Sequence, residues 1–432
     1  MPPPEERPLP TSVDVVVVGA GTAGAAAALL CARRGLSVLC LDRAPLDRAG
    51  ARWVNGVPAR AFDEAGLARP RAPELRGGDE PFHLVAGWGP ERVVIERHGV
   101  VDVDMRHLVA RLQGEARDAG ATLEGETAVS GMSEGALHTS RGTVHARFIV
   151  DASGLAGARL LGQPRIDPRD LCVAAQEVRR VEDRAAASDF LARHGAGEGH
   201  TLCFTGVAGG YSIVNVRVHG DEVGILTGSI PAEGHAPGRT LLERFVAEQP
   251  WIGAALFGGS RAIPLRRPWD ALARGRVALL GDAACQVFPA HGSGIGPGLV
   301  AARVLADSLA AGRGVEGYAI DWQRRHGGLL ASYDLFRRFS QGLGEGEVGR
   351  MVRAGLLDPE LGRAGLSQHF PSPDLWTLPA RASALARTGR LGARLSLVVG
   401  RMLAVRALYA SYPASKGARA RWARWVRRAA GE

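Results

Sequence analysis

At 432 residues the chain is longer than one compact core, so a large composite domain with a second domain or tail is expected. A mean hydropathy of -0.01, with no uninterrupted apolar run of membrane-spanning length, reads as a soluble globular protein. The net charge of +9 is carried almost wholly by arginine, Lys416 being the sole lysine. The arginines are scattered until the last stretch and no nucleic-acid module accompanies them, which argues against a nucleic-acid partner.

In chain order, residues 1–12 are Pro-rich with acidic residues and no apolar segment, a disordered lead-in rather than a signal peptide. Val13 to Asp42 follows, VDVVVVGAGTAGAAAALLCARRGLSVLCLD, and organises the rest. Its β-branched run Val15–Val18 predicts a buried parallel strand, and the Ala-rich stretch to about Arg34 a helix. Ser37 to Leu41 predicts a second strand ending on Asp42. Such a βαβ unit suits a dinucleotide. Gly19 allows the tight turn, Gly21 lets backbone approach a pyrophosphate, and Gly24 lets helix and strand pack closely. The helix N-terminus offers N–H groups and a positive dipole end to phosphates, and Asp42 can accept hydrogen bonds from a ribose diol.

The loop after Asp42 carries Arg52, Trp53 and Asn55, placed to cover a bound cofactor or simply to pack, with helical potential near Ala59 to Ala65. Residues 70–80 read as a surface connection, and Phe82 to Val100 as two strands joined by a turn at 87–90. Leu108, Leu112 and Ala116 have helical spacing, and Gly120 ends that helix. Short strands are expected around 122–129 and 135–140, and a longer one at Val144–Val150 closes on Asp151-Ala152-Ser153-Gly154. From about 166 to 270 strand-like alternation, with a single helix at Arg239–Gln249, predicts an antiparallel sheet. Arg276–Leu280 is a strand again, Gly281-Asp282 a sharp turn, and Pro289–Gly298 a glycine-rich approach to a helix from about Leu299. Ligands bind outside the carboxyl ends of such strands, so the turns at Gly19 and Gly281 are candidates for opposite ends of one ligand. The remainder, 316–432, is helical in composition and ends in a basic segment with Trp422 and Trp425, a packed helix or one able to touch an anionic membrane weakly. Cys31, Cys40, Cys172, Cys203 and Cys285 show neither CxxC pairing nor metal-site spacing and read as core residues in a reducing cytosol.

Taken together, GxGxxG with Asp42, DASG at 151–154 and GDAA…P…GxGI at 281–295 resemble one flavoprotein family. It comprises p-hydroxybenzoate hydroxylase-type monooxygenases, flavin-dependent halogenases and geranylgeranyl reductases. The resemblance covers about 13–165 and 260–312, reaches the central block by texture only, and hardly touches the C-terminal hundred residues. It implies an α/β fold. A Rossmann-like FAD-binding domain, composite in sequence (13–165 and 271–315), carries an inserted, mainly antiparallel substrate domain (166–270) and a helical C-terminal region (316–432).

The cofactor the resemblance implies is FAD, with NAD(P)H as electron donor, directly or through a separate flavin reductase. Gly19, Gly21 and Gly24 would cradle the pyrophosphate and Asp42 would bind the adenosine ribose, with Ala23 and Arg43 among the cofactor-binding residues. Arg106 matches an arginine aimed at the phosphates, Val129 a backbone contact to the adenine, and Asp282 the ribityl chain. Pro289, Gly294 and Ile295 belong to the loop that presents N–H groups to the flavin's pyrimidine edge, favouring the anionic reduced state. His291 in that loop is the catalytic candidate, as a proton relay or substrate contact. Trp53, Tyr211 and Asn215, and more weakly Arg217, are candidates for the substrate side.

The activity read from these motifs is a monooxygenase hydroxylating an aromatic or otherwise electron-rich substrate through a flavin C4a-hydroperoxide. The absence of a WxWxIP run argues against tryptophan-type halogenation. A geranylgeranyl-reductase-like reductase or desaturase of a lipophilic substrate is the alternative; Gly210-Tyr211 keeps part of the YxWxFP segment of those enzymes and loses its Trp and Pro. A halogenase-like enzyme on a carrier- or peptide-bound substrate and a non-redox FAD-binding partner protein also stay open. The expected location is cytoplasmic.

Overall fold

The computed structural model describes residues 8–432 except 134, 345 and 372–377, and for 378–381 the backbone only. The lead-in expected over 1–12 therefore falls largely outside the described residues, and Ser12 already opens the first strand.

Five parallel strands form the body of the first sheet: Val277–Leu279, Gly142–Asp151, Ser12–Val18, Val38–Leu41 and Thr122–Glu124, in that spatial order. Burial explains the β-branched run. Val15 and Val17 face a core shared with the helices Thr22–Ala32, Met105–Asp118 and Ile295–Ala310. Val16 and Val18 face a second core with Leu39, Leu41 and Ile149 on the opposite side of the sheet. A strand covered on both faces has no solvent side to reserve for polar residues.

The second sheet has seven strands, in the order Ile252–Pro264, Leu171–Val181, Glu222–Ser229, Ser212–His219, Thr201–Thr205, Phe82–Ala86 and Arg92–Ile95. All its pairings are antiparallel except Thr201–Thr205 with Phe82–Ala86. One face is closed by the helices Arg184–Arg193 and Gly238–Ala247, packing Phe190, Leu242 and Phe245 against Phe204, Val214 and Val216.

Several features differ from the sequence reading, among them strands at Val54–Pro58 and Leu75–Gly78, where a covering loop and a surface connection were expected. The strands at 82–86 and 92–95 were expected within 13–165 but belong to the second sheet, because an alternating hairpin satisfies any free sheet edge and its pattern does not name the partner. The helix Arg184–Arg193 was not foreseen; its short, weakly amphipathic sequence is held by an Asp183 cap and by burial of Phe190 and Leu191. A three-stranded sheet of Val54–Pro58, Val100–Asp104 and Leu75–Gly78 bridges the two units. Arg217, in the second sheet, ties it down by ion pairs to Asp102 and Glu80.

The C-terminal region is helical, as its composition suggests. It is fastened to the first unit by charge. Glu432 accepts hydrogen bonds from the fully buried Arg267 (2.8 and 2.9 Å) and from Arg338 (2.8 Å). Although burial opposes it, these two guanidinium groups bring the Glu432 carboxyl down to about 2. A carboxylate so depressed adds stability above its ordinary range, and that stability is lost as pH falls through its folded value. Glu432→Gln should lower the unfolding free energy by about 1–3 kcal/mol at neutral pH. In urea titrations the gap between wild type and variant should close as pH falls from the ordinary carboxylate value of 4.5 toward 2.

Candidate cofactor site

The carboxyl ends of the parallel strands share one edge, and the site is built there. Gly19 follows the first strand with φ +104°, and a Cβ would run into the Ala152 carbonyl. A Cβ on Gly24 would strike the Gly19 carbonyl oxygen, so strand and helix meet only because both positions lack side chains. The helix Thr22–Ala32 begins at Gly21 with no side-chain cap and no acid in its first turn. The Thr22, Ala23 and Gly24 N–H groups are left for an anion. Asp42 lies beside them, its carboxylate accepting from Ala20 N (2.8 Å) and Ala44 N (2.9 Å).

A second such end lies two strands away. Val277–Leu279 runs into the turn Gly281–Ala284, which Gln286 braces by accepting from Gly281 N and donating to Tyr318 Oη, each at 2.8 Å. Phe288 and Ser293 close a small loop, and Ile295–Ala310 starts at Gly294, again without a cap or an acid. The two helices pack on each other through small residues. Cβ atoms on Gly281 and Gly298 would stand 3.0 and 3.3 Å from the Ala23 Cβ. Ala23 thus sets how closely the two N-termini converge.

Asp151 spends its carboxylate on its own turn, accepting from Ser153 N, Ser153 Oγ and Leu160 N. The turn it shapes, with Trp269 and Asp282, bounds a cleft of about 270 Å³. Arg43 donates to the Ala156 carbonyl on that segment. Asp282 is recessed, and desolvation pushes its pKa up against the pull of Arg261. Arg261 also donates to the Gly50 carbonyl, and a Cβ on Gly21 would stand 3.1 Å from Gly50 Cα, so this arginine joins the two halves of the site.

Around the loop before Gly294, polar atoms lack partners: His291 Nε2, Ser293 Oγ and Gln368 Nε2 are buried without a hydrogen bond. Burial brings His291 down to about 4, against a backbone hydrogen bond at Gly365. Its ring packs on Phe288, centroids 4.8 Å apart, and Pro289 precedes it in the same turn. A Cβ on Gly296 would meet Gln368 Oε1 at 3.2 Å, and Tyr333 donates to the His369 carbonyl. Residues 365–370 of the C-terminal region therefore cover the loop.

Other sequence candidates fall as follows. Val129 opens the hairpin strand Val129–Ser133, near Asp42 through the Thr127 N–H bond to the Asp42 carbonyl. Arg106 is held by Asp104 (2.6 Å) and lies 3.5 Å from the Phe257 ring centroid. Tyr211 is buried, and its hydroxyl would stand 3.6 Å from a Cβ on Gly292, so it reaches the second loop. Asn215 lies on the sheet face opposite Val214 and Val216, with its Oδ1 unpartnered. Trp53 is a buried packing residue whose carbonyl accepts from Met105 N. Arg217 is spent on its ion pairs with Asp102 and Glu80.

Three residues escaped the sequence reading. Gln113 donates to the Ala20 and Leu46 carbonyls, pinning the first glycine turn; a glutamine beside Leu112 on a buried helix face was the available signal. Arg261 and Gln368 come from a strand and a helix end that carry no motif. Two uncapped helix N-termini, a half-buried acid at each, and orphaned polar atoms at the second suit a diphosphate-linked cofactor with a hydrogen-bonding ring edge.

Residues 14–76 match the family model described as FAD dependent oxidoreductase. The chain is 25% identical to the digeranylgeranylglycerophospholipid reductase of Sulfolobus acidocaldarius over 96% of each chain. These similarities mark the chain as an FAD-dependent oxidoreductase. Among solved structures, the geranylgeranyl bacteriochlorophyll reductase-like protein of Thermoplasma acidophilum superposes on this oxidoreductase with a TM-score of 0.70. That match covers 90% of this chain and 99% of the other at 15% identity. The halogenase PltM gives 0.63, covering 96% and 95% at 17% identity. Both structures share the fold.

Asp282→Ala should leave the far-UV circular dichroism unchanged and weaken FAD binding by more than about tenfold, since charged hydrogen bonds contribute roughly 1.5–3 kcal/mol each. Flavin fluorescence titration reads this. Burial also brings His83 and His326 to about 4, like His291. Between 6.5 and about 4 the unfolded chain then binds more protons than the folded one, so stability rises with pH across that window. The urea midpoint should fall as pH is lowered through it, and less steeply in His291→Gln.

Proposed function

We propose that this oxidoreductase reduces carbon–carbon double bonds of a lipophilic, isoprenoid-type substrate. The observation that carries the reading is the end-to-end similarity to a digeranylgeranylglycerophospholipid reductase. The monooxygenase reading rests on motifs that all branches of the family share, and likeness to a halogenase is one of fold.

The surroundings of the second loop favour an apolar substrate. Leu265, Ile263 and Tyr211 come within 3.6 Å of a Cβ placed on Gly292, and the Phe288 ring packs on Tyr333, centroids 4.4 Å apart. FAD, once reduced, supplies a hydride equivalent. The chain's part is to hold the cofactor, exclude water and place a proton. Gly19, Ala23, Gly24 and Asp42 hold the diphosphate and ribose end, and Asp282 the ribityl chain. The N–H groups at Gly294 and Ile295 would meet the ring edge, as a helix N-terminus suits developing negative charge. Tyr211 is the proton source. Burial raises its pKa well above the ordinary value, so the phenol keeps its proton at neutral pH. His291, held neutral, takes the part of a hydrogen-bonding positioner of the loop. NAD(P)H, directly or through a separate flavin reductase, is the electron donor in this account. A reducing cytoplasm suits five free, buried cysteines; among the described residues no helix is long and apolar enough to cross a membrane.

Incubation of reduced enzyme with a geranylgeranylated lipid under anaerobic conditions should yield products heavier by pairs of hydrogens in mass spectrometry. A product that gains oxygen, and forms only when O2 is present, would restore the monooxygenase. Tyr211→Phe should keep its flavin and lose about 10²–10⁴-fold in turnover, the usual contribution of a positioned acid.

A further inference from the structure

The C-terminal helices Arg390–Ala410 and Lys416–Ala430 present a surface that the cofactor site does not use. Leu397 and Leu403 are 59% and 60% exposed, Val399 46%, and Trp425 on the neighbouring helix 62%. At roughly 100° per residue, Leu397, Val399 and Leu403 fall with the exposed Ala393, Gly400 and Ala404 on one outward arc that holds no charge. Arg390, Arg394 and Arg401 border that arc on one side and Arg406 on the other. Trp425 stands between the exposed Arg421, Arg424 and Arg428. A Cβ on Gly431 would lie 3.2 Å from Arg401 Nη1, so the cationic borders of the two helices meet.

From Arg390 to Gly431 the sequence contains no aspartate or glutamate. Among the described residues Arg401, Arg421, Arg424 and Arg428 have no acidic partner, unlike Arg419 and Arg427, which pair with Glu316 and Asp270. Of the arginines that border the arc, Arg394 lies 3.7 Å from Glu347, whereas Arg401 has no acidic partner among the described residues. An apolar arc bordered by arginines, with an exposed tryptophan beside it, matches the physics of an interfacial helix: apolar side chains enter the acyl boundary while cations and the indole stay at headgroup level. A second copy of the chain on this face would bring arginine border against arginine border. Charge complementarity selects an anionic surface instead.

We propose that these two helices dock the protein on the surface of an anionic phospholipid bilayer, lying in the interface without crossing it. Arg406, on one border, stacks on Phe370 of the segment that covers the second loop, 4.1 Å from the ring centroid, and the variants below leave that contact in place; the proposal does not depend on which substrate is reduced.

The test is sedimentation of the full-length, FAD-loaded protein with vesicles of phosphatidylcholine, with and without phosphatidylglycerol. Binding should need phosphatidylglycerol and fall as salt rises. The double variant Leu397→Glu/Leu403→Glu should lose at least about tenfold in affinity while keeping its flavin spectrum and melting temperature. Arg424→Ala should lose about fivefold. Trp425 emission should shift to the blue on binding, a change absent in Trp425→Ala. Failure to bind, equal binding to phosphatidylcholine alone, or unchanged binding by the folded double variant would overturn the proposal. So would a solution dimer that Leu397→Glu dissociates.

Discussion

The structure depends on the close approach of two helix N-termini at one edge of a parallel sheet. Gly19 and Gly24 let the first helix touch its strand, and Ala23, Gly281 and Gly298 let the second helix touch the first. A larger residue at any of these points pushes apart two sets of unsatisfied N–H groups whose combined dipoles favour a multiply anionic ligand. Neither helix spends that field on a capping side chain or an acid of its own. The remaining elements supply what two helix ends cannot, namely a cover and a substrate surface.

That cover comes from parts of the chain distant in sequence. The second sheet brings Tyr211 to the second loop and Arg261 across to the Gly50 carbonyl. The C-terminal region lays residues 365–370 over the same loop and is itself fastened by ionic contacts: Glu432 joins Arg267 to Arg338, and Arg337 joins Asp334 to Asp170. Asp170 precedes the strand Leu171–Val181, and its carbonyl accepts from Leu265 N, so the same clamp reaches the edge of the second sheet. Breaking a buried pair of this kind leaves an uncompensated charge, which ties the helical region firmly to the site it covers.

What could be read from the sequence was whatever local backbone geometry imposes on residue choice. The glycine turns at 19–24 and 281–298, the doubly buried valine run and the acid after the second strand each leave a mark within a few positions, and the structure places them together at one edge. Partner choice leaves no such mark. The hairpin at 82–95 reads as alternating strands in any sheet, and nothing in its pattern shows that it continues the sheet begun at 201–205. Arg106 carried a motif-based role, but the acid two residues before it, Asp104, holds its guanidinium in this structure. Gln368 and Arg261 act through tertiary placement alone. The choice between monooxygenase and reductase lay outside the motifs too, because they bind the cofactor that both chemistries share.

The most direct measurement is a crystal structure of the protein with FAD bound. The diphosphate should lie against the N–H groups of Thr22, Ala23 and Gly24, the ribityl chain at Asp282, and the pyrimidine edge of the ring at Gly294 and Ile295, with Ser293 Oγ and Gln368 Nε2 gaining partners. FAD bound away from either helix end, or a ring turned outward with Tyr211 and the second loop left bare, would contradict this assignment of the site.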